Sequence, residues 1–192
     1  MKLFDDPVLQ AMASRRSVSK VGPQTPSDEE VARLLAAVTP VADHKALRPW
    51  RLILLRGEDR RVLADALDAA AGVTRATGEV NPTPFRAELL IAVVASRTEH
   101  PAVPPWEQDA TAAGAAHLLE LALWQAGWGV MWRSGPHTNA GEVRAAHGLG
   151  EDELLLGWLY VGDVDPAFTA KLASSHRPPL DPAPFLSRMP RG

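Results

Sequence analysis

The chain contains no cysteine. That removes disulfides, thiolate metal sites and a thiol nucleophile together, and it gives no sign of an oxidising compartment. An excess of one charge is also missing: the formal net charge is −3, with lysine and arginine scattered along the chain. Without a basic stripe, nucleic acid is not expected as a partner. The most apolar stretch, Ala110 to Ala126, is interrupted by His117, Glu120 and Gln125 and is short for a bilayer crossing, so no membrane span is expected. Met1 to Pro7 lacks the apolar core of a signal peptide, and the chain is expected to be cytoplasmic.

Catalytic signatures are absent as well. Gly-x-Ser-x-Gly, the P-loop pattern and His-Glu-x-x-His do not occur, which leaves hydrolase, kinase and zinc-protease chemistry without support. None of the six histidines stands four residues from another. His117, His137, His147 and His176 are therefore read as buried or solvated side chains, and no metal is expected. Gly127 and Gly129 lack the third glycine and the following helix of a dinucleotide fingerprint.

What is present suits one domain over 1–192: 192 residues, 46% hydrophobic and 22% charged, enough for a substantial core. Asp5 or Asp6 before Pro7 starts a short helix that ends near Arg15-Arg16-Ser17. Ser27 with Glu30 forms a capping box for a helix bearing Val31, Leu34, Leu35 and Val38, which Pro40 stops. Asp43-His44-Lys45-Ala46-Leu47-Arg48-Pro49-Trp50 is a charged loop feeding the apolar strand from Arg51 to Arg56, with Arg48 extended because a proline follows it. Asp59 to Ala71 is a helix with Val62, Leu63, Ala66 and Leu67 inward, and Gly72 to Pro84 reads as a mobile loop. Glu88 to Ala95 has the continuous apolar character of a strand buried on both faces.

Pro101, Pro104 and Pro105 lead into the most apolar helix, which runs from Trp106 to Ala126 and is expected to be buried nearly all round. Its small residues 112–116 fit either a central core helix or a dimer seam. A strand through Val130 and Trp132 exits through Arg133-Ser134-Gly135. Asn139 with Glu142 suggests a cap on a short helix, and Leu154 to Gly162 is the last strand. The tail, 165–192, is proline-rich and cannot form its own core. Four strands among five helices fit both a doubly wound sheet and an α+β sandwich.

Arg15, Arg16 and Ser17, with Ser19 and Lys20 close behind, combine guanidinium and hydroxyl groups that suit a phosphate. The same cations would complement a helix C-terminus. The Asp-His-Lys loop with its Pro-Trp resembles the flavin-contacting loop of the nitroreductase family, in particular its short single-domain branch. Arg-Arg-Ser resembles the family's flavin-phosphate motif, although the second basic residue common two places after the serine is here Ser19. Trp106-Glu107-Gln108, Trp132-Arg133-Ser134 and the late Gly157-to-Gly162 segment match as well, so the resemblance spans roughly Arg15 to Gly162.

This resemblance implies an α+β sandwich: a central, mostly antiparallel sheet flanked by helices, a long buried central helix, and a C-terminal tail that packs on a partner subunit. It implies a homodimer binding FMN at the subunit interface, reduced by NADH or NADPH and oxidised by a small-molecule acceptor such as a nitroaromatic or quinone, in ping-pong fashion. Arg15, Arg16 and Ser17 would hold the phosphate. Asp43, His44 and Arg48, from the other subunit, would meet the ribityl chain and ring edge, and Met131, Trp132 and Arg133 would run along the ring. Arg48 or Arg133 would stabilise negative charge on the pyrimidine edge. No side chain is required as a nucleophile, because the cofactor carries the chemistry. A flavin carrier without turnover and a non-catalytic dimeric scaffold are the alternatives.

Overall fold

The computed structural model describes residues 6–167, 169–170 and 181–189. Helix α1, Pro7–Ser14, begins where the Asp6 carboxylate accepts the Val8 and Leu9 N–H groups. Helix α2, Asp28–Val38, begins where Ser27 Oγ accepts the Glu30 N–H at 3.1 Å. The reciprocal half of that capping box is not made, because Glu30 instead accepts the Trp128 indole N–H at 2.8 Å.

Strand β1 is Trp50–Leu55, helix α3 Glu58–Ala71, strand β2 Leu89–Ser96, helix α4 Pro105–Gln125, strand β3 Gly129–Arg133, helix α5 Gly141–Ala146 and strand β4 Glu153–Gly162. The four strands form one antiparallel sheet in the order β1-β2-β4-β3. This is the α+β sandwich expected. On one face Leu89, Ile91, Val93, Val130, Leu159 and Val161 pack with α2 and α4. On the other Leu90, Ala92, Val94, Leu155, Trp158 and Tyr160 pack with α3 and α5. Strand β2 is buried on both faces, as its continuous apolar run predicts.

At one end of the sheet a charged clasp crosses three strands. Arg51 on β1 donates two hydrogen bonds to Glu153 on β4, at 2.6 and 2.8 Å, and Ser96 at the end of β2 donates a third at 2.7 Å. Such a clasp pins the register, since a one-residue slip would turn every side chain to the wrong face. These bonds, Arg51 first, hold the Glu153 carboxyl down to about 2 from its ordinary 4.5. His147 is buried between α5 and β4. Its Nδ1–H donates to the Val143 carbonyl at 2.7 Å and its Nε2 accepts the Trp158 indole N–H at 3.0 Å. Both ring nitrogens are satisfied only in the neutral form, and burial pushes its pKa below the ordinary 6.5.

Several expectations are corrected. Val62 is exposed, and the inward face of α3 turns instead through Arg60, Leu63, Ala64, Ala66 and Asp68. Two charged residues join the buried stripe because both find partners there. Asn139 does not cap α5. Its side chain pairs with the Leu155 backbone N–H and carbonyl at 3.0 and 2.9 Å, while Ala140 takes the cap position without a side-chain bond. Helix α4 is not buried all round: Ala110, His117 and Leu118 are exposed, and Ala113 and Leu121 are half-buried. Arg48 is not extended; it has φ +51°. The loop 72–84 is tied down, because Asp68 accepts hydrogen bonds from Arg75 and Asn81. In the C-terminal tail, 171–180, and with it His176, lies outside the described residues.

The acid side of the stability curve is expected to fall in two stages. His147 takes up its proton more readily unfolded than folded, so its contribution is lost as the pH drops below about 6.5. Glu153, depressed when folded, contributes fully above 4.5 and loses that contribution as the pH falls towards 2. Glu153→Gln should cost about 2 kcal/mol at neutral pH and flatten the lower stage, as read by urea denaturation across the pH range.

Candidate functional site

Beyond Ser17 the chain runs alongside β3: the Val18 N–H donates to the Val130 carbonyl at 2.9 Å. The segment that follows Arg15-Arg16-Ser17 therefore runs beside the strand that carries Met131, Trp132 and Arg133. Within the Arg15-Arg16-Ser17 cluster, Arg15 reaches Ser17 Oγ at 3.5 Å, and Arg16 turns back onto the Ala13 and Arg15 carbonyls at 2.8 and 2.9 Å. Arg16 thus caps the C-terminal end of α1, where a cation is favoured by the helix dipole.

Residues of β3 alternate between the two faces. Trp132 points to the α4 side, where its ring meets His117 with centroids 5.1 Å apart. It is held by its indole N–H, which donates to the Leu156 carbonyl at 3.1 Å. That carbonyl is available because the β2–β4 register shifts at this point, a bulge of the kind that re-aims side chains. Gly157 completes the bulge with φ +126°, and a Cβ there would stand 2.5 Å from the Arg133 carbonyl oxygen. Only glycine fits.

Met131 and Arg133 point to the α3 side, into a cavity of about 490 Å³ whose wall also includes Asn81, Thr83, Arg86, His137, Trp158 and Tyr160. A second cavity of about 550 Å³, lined by Ser19, Lys20, Val21, Arg86 and Arg133, shares the two arginines with it. Arg133 donates to the Ser19 carbonyl at 3.0 Å and lies over the Tyr160 ring at 5.5 Å. Burial raises the Tyr160 phenol's pKa, so the ring remains neutral. Arg133 Nε is buried and has no hydrogen-bond partner among the described residues. Lys20, Arg86 and Arg133 face these spaces, and among the described residues no carboxylate lines either. This is a cavity built for an anion or an electron-rich ring edge.

Arg86, Asn81 and Thr83 were missed in the sequence. The usable signal was a proline-flanked turn, Asn81-Pro82-Thr83-Pro84, delivering a cation just before a fully buried strand.

Asp43, His44 and Arg48 lie elsewhere. Their loop precedes β1, at the edge of the sheet opposite β3 and three strand spacings away, about 14 Å. The Asp43 carboxylate accepts the Leu47 and Arg48 N–H groups at 3.2 and 2.7 Å, and His44 Nδ1 pairs with Glu107 at 2.9 Å. Asp43 thus holds the loop's shape. Lys45, Ala46 and Arg48 all have positive φ, at +66°, +52° and +51°, and the Trp50 N–H closes a tight turn onto the Arg48 carbonyl at 2.8 Å. Left-handed residues with side chains cost roughly 1–3 kcal/mol each and persist where surroundings enforce them. Arg48 itself is exposed, beside Thr39, Pro40 and Trp50. Among the described residues no group of His, Asp and Glu could hold a metal ion.

The Nitroreductase family model matches residues 12–163, and the chain belongs to this family of oxidoreductases. It is 34% identical over 183 residues to an Escherichia coli K12 protein named "Putative NAD(P)H nitroreductase YdjA", covering 93% of this chain and 97% of the relative. Among solved structures, a nitroreductase-like family protein from Bacillus cereus superimposes with a TM-score of 0.74 at 19% identity, covering 96% of each chain. The FMN-dependent nitroreductase NfnB from Mycobacterium smegmatis, solved with NADPH, gives 0.66 at 19% identity, covering 96% of this chain and 100% of that one.

Asp43→Ala removes both acceptors that hold the loop's curl. It should speed amide hydrogen exchange at 45–48 and lower stability by about 1–2 kcal/mol, while exchange in β2 changes only with the global stability.

Proposed function

We propose that the protein is an FMN-dependent oxidoreductase using NADH or NADPH, acting as a homodimer with the cofactor between subunits. The observation that carries this reading is the carboxylate-free cavity where Arg133 Nε is buried unpaired and Arg86 and Lys20 face the same space. A buried donor without an acceptor is costly unless a ligand supplies one. Bound FMN would supply the redox chemistry, taking a hydride from NAD(P)H and passing two electrons to a nitroaromatic, quinone or related acceptor in a ping-pong cycle.

The protein's part is binding, orientation and charge. Arg15, Arg16 and Ser17 would take the phosphate, with Arg16 exchanging its carbonyl partners for phosphate oxygens, a stronger charge-assisted bond. Met131, Arg133 and the backbone of Trp132 would lie along the ring, the Trp132 side chain being turned to the α4 face. Arg133 and Arg86 would stabilise negative charge on the pyrimidine edge in a partly dehydrated site. Asp43, His44 and Arg48 would serve the site of the partner subunit. Their 14 Å or so of separation from β3 supports this, as does the open stripe Ala110, Ala113, His117, Leu118 and Leu121 on α4, whose alanines allow a second helix to approach closely. The described parts of the tail, 165–167, 169–170 and 181–189, would pack on the partner, and no nucleic acid or membrane takes part. No helix among the described residues is long and apolar enough to cross a membrane.

An absorbance spectrum of the purified, FMN-loaded protein, taken anaerobically before and after NAD(P)H, tests the reading. Flavin bands that bleach are expected. Bands that persist would favour a carrier, and failure to bind FMN would overturn the site. Leu118→Arg, at a position 38% exposed in the single chain, should leave folding intact yet shift the protein towards monomer in sedimentation. It should also weaken FMN binding at least about tenfold, the equivalent of 1.4 kcal/mol. A dimer that persists with full FMN affinity would refute the proposed seam.

A further inference from the structure

Helix α3 buries two charged side chains, Arg60 at 7% exposure and Asp68 at 9%. Neither belongs to the cavity wall, and both grip the segment that forms part of it. Arg60 Nη1 donates to the Ala87 carbonyl at 2.7 Å, Nη2 bonds the Glu88 carboxylate, and the guanidinium lies over the Phe85 ring at 5.2 Å. These contacts fall on residues 85, 87 and 88, flanking Arg86 on both sides. Asp68 accepts from Asn81 Nδ2 at 2.8 Å, and Asn81 Oδ1 accepts the Thr83 N–H at 3.0 Å. Arg75 bonds Asp68 as well and keeps its carboxyl pKa low.

The segment Asn81–Glu88 therefore hangs from α3 at both ends. Arg60 and Asp68 are eight residues apart, about 12 Å along a helix, whereas the chain from Asn81 to Ala87 would reach about 20 Å if extended. The excess length is taken up in the turn Pro84–Arg86. Thr83 and Arg86, which line the cavity, lie between the two anchors.

We propose that Arg60 is a positioning residue for the cofactor cavity, holding the turn so that Arg86 remains against the pyrimidine edge of the flavin, with Asp68 and Asn81 as the second anchor. This rests on the flavin reading above. Methionine could fill the volume of the Arg60 stem, but it would leave the Ala87 carbonyl without its donor and the turn without its charged grip.

The test compares wild type, Arg60→Met, Arg60→Lys, Glu88→Gln, Arg86→Met and the double variant Arg60→Met/Arg86→Met. FMN affinity is read by fluorescence quenching and the midpoint potential of the bound flavin by anaerobic titration. Arg60→Met should weaken FMN binding about 2- to 10-fold, the range of one lost hydrogen bond. It should move the potential negative, in the same direction as Arg86→Met, and add almost nothing in the Arg86→Met background. Arg60→Lys should recover part of both effects. A folded Arg60→Met protein with wild-type affinity and potential would overturn the proposal, and so would an undiminished effect when Arg86 is already absent.

If Arg60→Met does not fold, Glu88→Gln carries the same test from an exposed position. A smaller shift in the same direction supports the anchor, and unchanged affinity and potential refute it. Amide exchange in the FMN-free protein separates the two readings. A wild type that binds no FMN overturns the flavin assignment. Faster exchange at 83–88 in Glu88→Gln would then still establish the anchor, and unchanged exchange would remove it.

Discussion

Strand β2 has a strand on either side and a helical layer over each face. It has no free hydrogen-bonding edge and no free surface, so it can carry no chemistry itself. The two motif clusters are displaced to the edges of the sheet, beside β1 and β3, while Trp158 and Tyr160 of β4 and the turn before β2 complete the cavity wall next to β3. The Arg51–Glu153–Ser96 clasp keeps this arrangement in register. The two motif clusters therefore sit at opposite edges of the sheet. In the proposed dimer a second copy would bring them together through the half-open stripe on α4.

The two clusters are also prepared differently. The loop before β1 stores its preparation in the backbone, with three left-handed residues held by one carboxylate. The cavity beside β3 stores it in electrostatics: cations share a space without a counter-ion, and a buried donor lacks an acceptor. Both arrangements are unfavourable in isolation. A loop that acts on a partner's ligand must arrive already shaped, whereas a cavity that takes an anion must arrive already charged.

Element identity was legible in the sequence because its signals are local. Asp6-Pro7 and Ser27 with Glu30 mark helix starts through bonds to N–H groups within three residues, and the unbroken apolar run of β2 reports burial on both faces. The motif residues Arg15 to Ser17 and Met131 to Arg133 could be named, but the Val18–Val130 bond that joins their segments is visible only in the fold. What failed was non-local. Val62 gave way to Arg60 and Asp68 because partners at 81–88 make those charges cheaper to bury than periodicity suggests. Asn139 abandoned the cap for Leu155, a strand residue that no helix pattern reveals. Arg48 departed from its extended pre-proline form because Asp43 reaches across five residues to its N–H. Arg86 escaped notice because a lone cation in a loop has no pattern; its meaning comes from Arg133 and Lys20 across the cavity.

Arg60 and Arg133 show how the same side chain serves two purposes. Each leaves a buried Nε without a partner. Arg60 spends its remaining donors on Ala87 and Glu88 and its face on Phe85, so its charge is answered within the chain and its work is mechanical. Arg133 has a backbone carbonyl and a phenol ring that burial keeps neutral, and among the described residues no carboxylate answers it. Of the two, only Arg133 keeps electrostatic potential available to a ligand. The turn bearing Arg86 stands between them, gripped from behind by the compensated arginine and facing the uncompensated one. An anionic ring edge entering this cavity would meet charge that the fold has kept unpaired on one wall, at a geometry that a neutralised cation maintains from the other.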